Sequence, residues 1–385
     1  QAEPGLSLVH WSKPSRPSQN TSRAGSHRPR RSLTRCWCFS SGSSAALKVQ
    51  GVVRRLSEPP LDPSRTQRLA YSVMRESQIR GFEATLECDL AIALPGLGRF
   101  RVNVYRQRGD VAVVVRHINA KIPSLDGLKL PPVLKKLAQL KRGLVLVVGA
   151  AGSGKSTTLA AMLDHRNRNL SGHILTVEDP MEFEHSHGLS IVDQREVGLD
   201  TQSFDEALRH AMREAPDVIM IGEIRDRDTM QHAMAYAETG HLCVSTLHAN
   251  NANQAIQRIL NFFPETAHRQ ILMDLSLNLK GVVGQRLIRG AEGNLVPAVE
   301  VMLLSPYIAD LIQKGQTDDI KETMSKSTEL GMATFDQSLY ELYERGELTA
   351  EQAVDNADSR TDLSLRIRLH HGQRPQAGGL RMVPK

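Results

Sequence analysis

The chain has 385 residues, enough for two ordinary domains each with its own core. Its formal charge of +6 belongs to the first 45 residues, where Lys13, Arg16, Arg23, Arg28, Arg30, Arg31 and Arg35 stand against one acid, Glu3. The rest is electrically balanced, which argues against a nucleic-acid-binding core; no apolar run approaches about 18 residues, which excludes a helical membrane span.

Residues 1–45 are rich in Ser, Arg and Pro and hold both tryptophans, Trp11 and Trp37, with no apolar period, so they read as a disordered tail. The composition fits a transit peptide. Gln1 in place of Met and the abrupt change near Ala46 favour instead an upstream extension or wrong-frame translation outside the fold. Residues 46–120 predict a small α+β domain: a hairpin over Leu47–Val53, a helix over Ser64–Ser77, and antiparallel strands at Asp89–Leu94, Gly98–Tyr105 and Val111–Arg116. Ile122 to Gly127 reads as a linker, and Pro131-Pro132 as the opening of a helix. Over 129–370 strands and helices alternate, which predicts an α/β domain with a parallel sheet covered on both faces. A short tail, 371–385, closes the chain. The four cysteines (Cys36, Cys38, Cys88, Cys243) form no CxxC pair, so neither a zinc site nor a disulfide framework is indicated, and the chain reads as soluble and cytosolic.

The second domain opens on Gly149-Ala150-Ala151-Gly152-Ser153-Gly154-Lys155-Ser156, a complete phosphate-binding P-loop between an apolar strand, Leu144–Val148, and a helix beginning near Thr157. Its glycines let successive N–H groups converge on phosphate oxygens at a helix N-terminus. Lys155 would reach the β- and γ-phosphates of ATP, and the Ser156 hydroxyl would ligate Mg²⁺.

Three further constellations follow. Ile174–Val177 is an apolar strand delivering Glu178, Asp179 and Glu182 to its carboxyl end, where open α/β sheets place their ligands. A carboxylate there can orient or deprotonate a water. Asp217-Val218-Ile219-Met220-Ile221-Gly222-Glu223-Ile224-Arg225 is a buried strand with flanking acids, in the manner of a Walker B segment. Arg225 suits an internal partner for nearby carboxylates. His241 and His248 bracket another strand and lie near its opposite ends, with His248 better placed to meet a γ-phosphate.

In this order and wording the four motifs resemble the Walker A, Asp box, Walker B and His box of the secretion ATPases. The runs Gln194-Arg195-Glu196-Val197-Gly198 and Glu238–Ala255 bring the likeness to the type IV pilus retraction ATPases, the PilU-like members more than the PilT-like; Tyr307–Ile312 follows the PilU-like pattern. The resemblance covers about 46–370. Met273–Lys280, Gln285-Arg286-Leu287 and Gly331–Leu339 look like the family's C-terminal helices.

The resemblance implies a RecA-like ATPase domain behind a PAS-like N-terminal domain, assembled as a homohexameric ring that binds ATP and Mg²⁺. Arg99, Arg101 and Arg116 match the family's arginine-bearing strands, which complete the site across a hinge between Asn119 and Leu128. Glu182 would be the water-orienting base and Glu223 the Mg²⁺-side acid, with Glu178, Asp179, Asp217, Arg225 and His241 in support. The implied location is the cytoplasmic face of the inner membrane, and the implied partners are a pilus platform protein and a paralogous retraction ATPase. Two other outputs stay open. One is a type II secretion or pilus assembly ATPase, which usually carries a cysteine quartet and a longer N-terminal region. The other is an accessory structural partner of a principal retraction motor. The first strands of the PAS-like domain are expected to be replaced by the tail.

Overall fold

In this computed structural model the described residues are 35–49, 52–94, 97–118 and 121–373. Most of the expected N-terminal tail (1–34), the hairpin tip, two residues of the hinge and residues 374–385 lie outside them.

The first part of the chain forms a six-stranded antiparallel sheet. Its strands are β1 (Arg35–Phe39), β2 (Ala46–Val49), β3 (Val52–Arg55), β4 (Glu87–Leu94), β5 (Gly98–Gln107) and β6 (Asp110–His117), in the order β3-β2-β1-β6-β5-β4. Alternation puts Val102, Val104, Val111, Val113 and Leu90 in one apolar cluster with Ala70 and Phe82 from the two covering helices, Pro63–Tyr71 and Glu76–Thr85. The single helix expected over 64–77 is therefore two. The Asp62 side chain accepts the Arg65 N–H at 2.8 Å to start the first, and Gln78 Oε1 accepts the Arg75 N–H at 2.9 Å to start the second.

The expected tail boundary at residue 45, and the loss of the first strands, are corrected by β1. It lies between β2 and β6, with Trp37 opposite Val115 and Phe39 opposite Val113. The Trp37 ring meets Phe100 edge-on at 5.9 Å, and Phe39 packs on the apolar cluster. Two apolar rings at alternate positions suffice for a strand here, although Ser- and Arg-rich neighbours hide the period.

The larger sheet contains β7 (Gly143–Val148), β8 (Gly172–Glu178), β9 (Ser190–Glu196), β10 (Val218–Ile221), β11 (Leu242–Leu247), β12 (Leu279–Arg289) and β13 (Leu295–Leu303), ordered β13-β12-β7-β11-β10-β8-β9. All pairings are parallel except the antiparallel β12–β13. Every residue of β7, β10 and β11 is buried, as expected of strands covered on both faces. Leu144, Leu146, Ile219 and Ile221 feed the core on one side, while Val145, Val147, Val218 and Met220 feed the other. A third cluster around Phe335 and Leu339 joins the helices Phe335–Glu344 and Arg360–Gln373 to the end of β12. Gln285-Arg286-Leu287, expected among C-terminal helices, is corrected to the middle of β12, and Lys280 to its start; Met273–Asn278 does end a helix, Glu265–Asn278. Among the described residues no helix is long and apolar enough to cross a membrane.

Candidate active site

The parallel strands all deliver their carboxyl ends to one edge of the sheet, and the P-loop leaves that edge from β7. Gly149 has φ +153°, and a Cβ on it would stand 2.4 Å from Ser153 Oγ and 2.5 Å from the Gln285 carbonyl oxygen, so no other residue fits. Ala150, Ala151 and Gly152 form the exposed crest, and Gly154, at φ +91°, turns the chain into the helix Lys155–Asn169. Ser156 and Thr157 occupy its first turn. Lys155 is buried and folded back on the loop, its Nζ donating to the carbonyls of Gly149 and Ala150, each at 2.9 Å. Burial lowers its pKa, and the negative charges of Glu223 and Glu182 work the other way, so both carboxylates are close enough for the amine to sense. Ser153 Oγ is buried without a hydrogen-bond partner among the described residues.

Glu178 ends β8. It is buried, and burial pushes its pKa up to about 7 against the Thr176 hydroxyl (2.9 Å), the Gln194 amide (3.2 Å) and the N–H of Glu182. The carboxylate therefore anchors the loop that carries Glu182, itself half-buried. Asp179 faces Arg225 at 3.4 Å.

Beyond β10 and β11 the chain places Glu223 beside His248, Oε2 to Nε2 at 3.1 Å, while the other Glu223 oxygen receives Arg225. The hydroxyls of Ser245 and Thr246 donate to the carbonyls of Ile221 and Gly222, both at 2.7 Å, and lock the two strand ends in register. A Cβ on Gly222 would lie 3.2 Å from Glu178 Cα, which is how the carboxyl ends of β8 and β10 approach closely enough to share a site.

Asp217 and His241 are not brought to this edge. Asp217 precedes β10, where its Oδ2 accepts the His173 N–H at 2.8 Å. His241 precedes β11, with Nδ1 near the Thr239 hydroxyl at 3.1 Å and the Tyr236 carbonyl at 3.3 Å. Both tie the amino edge of the sheet together, a strand's length from the P-loop.

The three arginines share one face of the N-terminal sheet. Arg101 stands opposite Arg116 across β5 and β6, and Arg99 lies two residues from Arg101 on the face away from the apolar cluster. Arg99 reaches the larger domain at Glu196 Oε2, 4.0 Å away, and Arg101 pairs with Asp89 at 3.7 Å. Arg116 is exposed.

With this geometry, a comparison with known proteins decides the family: residues 44–359 match the Type II/IV secretion system protein family. The chain belongs to that family. It is 54% identical over 332 residues to the type IV pilus ATPase PilU of Pseudomonas aeruginosa, covering 86% of this chain and 87% of that protein. It is 41% identical to the type IV pilus retraction ATPase PilT of the same organism, over 83% of this chain and 93% of that one. A crystal structure of the pilus retraction motor PilT with bound ADP superposes with a TM-score of 0.80 at 41% identity, over 85% of this chain and 94% of that chain.

Three residues of this secretion-family site carried no assigned role in the sequence reading. Gln285 accepts the Thr158 hydroxyl at 2.6 Å, both groups being buried, and so joins β12 to the P-loop helix. Glu196 ends β9, inside a run noted only for its wording. Nothing local marks Thr158 or Gln285, since β12 also carries Lys280, Arg286 and Arg289.

Proposed function

We propose that the chain is an ATP-hydrolysing motor of type IV pilus retraction. The observation that carries the reading is the placement of Lys155 beneath the P-loop with Glu182 and Glu223 both within its electrostatic reach. With ATP in the loop, the backbone N–H groups and Lys155 would hold the phosphates, and Lys155 would trade two carbonyl acceptors for phosphate oxygens. The orphaned Ser153 hydroxyl would gain an acceptor in the same step. Glu182 orients the attacking water, held there by the Glu178 anchor on its own N–H. His248 and Arg225 hold Glu223 from two sides.

Ser156 and Glu223 offer the hard oxygen donors that suit Mg²⁺, which takes few protein ligands and fills its shell with phosphate and water. That ion would supply charge neutralisation at the phosphates. Arg99, Arg101 and Arg116 present the planar donors that match charge spread over phosphoryl oxygens. In a homohexameric ring at the cytoplasmic face of the inner membrane, sequential closure of this sheet on nucleotide would turn a platform protein, with a paralogous retraction ATPase as a further partner. Support for the retraction output is the likeness to PilT, which is named a pilus retraction ATPase and, as a solved structure, a pilus retraction motor. The test is pilus retraction in cells carrying Lys155→Ala in this chain; retraction unchanged with the paralogue absent overturns the motor reading.

A further inference from the structure

The backbone N–H groups of Met181 and Glu182 lie against two different buried carboxylates. The Glu182 N–H favours the ionised form of Glu178 at the end of β8, and the Met181 N–H that of Glu196 at the end of β9. Glu178 and Glu196 are themselves register partners across these parallel strands. Glu196 is only 3% exposed, and its Oε2 has no hydrogen-bond partner among the described residues. That oxygen faces the N-terminal sheet, with Arg99 at 4.0 Å and Arg101 also within its field. Asp200, whose carboxylate accepts the Glu196 N–H at 3.0 Å, adds repulsion from the other side. Burial outweighs these partners and raises the Glu196 pKa. Its ionised form is thus incompletely compensated, and Arg99 is the nearest cation to it.

We propose that Glu196 is a positioning residue that couples the two domains, fixing the Glu182 loop through Met181 while holding Arg99 and Arg101 on itself until nucleotide phosphates compete for them. The idea rests on the assignment of those arginines to the nucleotide. One carboxylate then has two tasks: an acceptor for a backbone N–H, and a counter-charge for a movable sheet. When the arginines leave it for phosphate, the loop anchor loses its counter-ion, so nucleotide capture and the position of Glu182 change together.

The two tasks separate by mutation. Steady-state ATP hydrolysis and melting temperature are measured on the full chain for the natural protein, Glu196→Gln, Glu196→Ala, the paired Arg99→Ala and Arg101→Ala substitutions, and that pair combined with Glu196→Gln. Glutamine keeps an acceptor for the Met181 N–H and drops the charge, so KM for ATP falls about five-fold while kcat stays within about two-fold. Alanine removes the acceptor as well, and kcat falls about ten-fold or more. Without the two arginines, Glu196→Gln no longer moves KM. An unchanged KM in Glu196→Gln, or the same shift without the arginines, overturns the coupling, as does a change in melting temperature alone. If the paired arginine substitutions leave turnover untouched, the arginine assignment itself falls, and the coupling with it.

Discussion

The Thr158 hydroxyl donates to Gln285 Oε1 at 2.6 Å across 127 positions of chain, and the same Gln285 presses its carbonyl oxygen toward Gly149. The strand β12 is therefore a wall of the nucleotide site. Gln285→Leu leaves a buried hydroxyl unpaired, which costs about 1–3 kcal/mol, and loosens the first turns of the P-loop helix. We expect a melting temperature lower by about 2–8 °C and weaker binding of a fluorescent ATP analogue. Equal melting and equal affinity would show that the contact is incidental.

Gly149→Ala tests the loop itself. A methyl at that position meets Ser153 Oγ and the Gln285 carbonyl well inside van der Waals contact, so the loop must open and its N–H groups diverge. Calorimetric titration is expected to show no ATP binding by a folded protein. Native affinity would mean that the loop is not the phosphate cradle.

The N-terminal strand gives a test on stability. Removing residues 35–39 strips β2 and β6 of a shared neighbour and takes Trp37 from Phe100. Melting temperature should fall by several degrees, whereas a chain beginning at Arg35 keeps β1. If a chain beginning at Ala46 melts with the full-length protein, the strand contributes nothing.

Glu300 supplies the pH test. It is buried on β13 with Ala252 N–H donating to it at 2.8 Å, and burial raises its pKa from the ordinary 4.5 to about 7. The folded state then binds this proton more tightly than the unfolded chain, so the group's contribution to stability declines as pH rises from about 4.5 to about 7. Glu178 titrates in the same direction. Glu300→Gln keeps an acceptor for Ala252 and removes the titration, so the loss of melting temperature between about pH 5 and pH 8 should shrink. An identical loss in both proteins would assign the slope elsewhere.

The legible parts of the site are those written locally. Gly149 to Ser156 announces itself because loop, strand and helix are contiguous, and Glu182, Glu223 and His248 each follow an apolar strand whose carboxyl end must face the same edge. Asp217 and His241 join them only through the resemblance to the Walker B and His boxes; each precedes its strand and so belongs to the opposite edge of the sheet. Gln285 was misplaced because its partner is distant in the chain, and β1 because five residues with two alternating rings are too short a signal in a Ser- and Arg-rich context. Glu196 stood in the open as part of a run, but its use depends on a second domain folding against it.

Glu182→Gln separates binding from chemistry. The amide keeps the size of the side chain and the Glu178 anchor on its N–H, and it gives up the capacity to accept a proton from water. ATP affinity should stay within about two-fold while turnover falls about 100-fold or more. Loss of binding with the chemical step retained would reverse the assignment of roles.

The most direct measurement is phosphate release from ATP by the purified full-length protein beside its Lys155→Ala variant. The account predicts Mg²⁺-dependent turnover in the first. In the second it predicts a loss worth roughly 2–4 kcal/mol of transition-state stabilisation, or about 30- to 1,000-fold, with the fold intact. Equal phosphate release by the two proteins would contradict it.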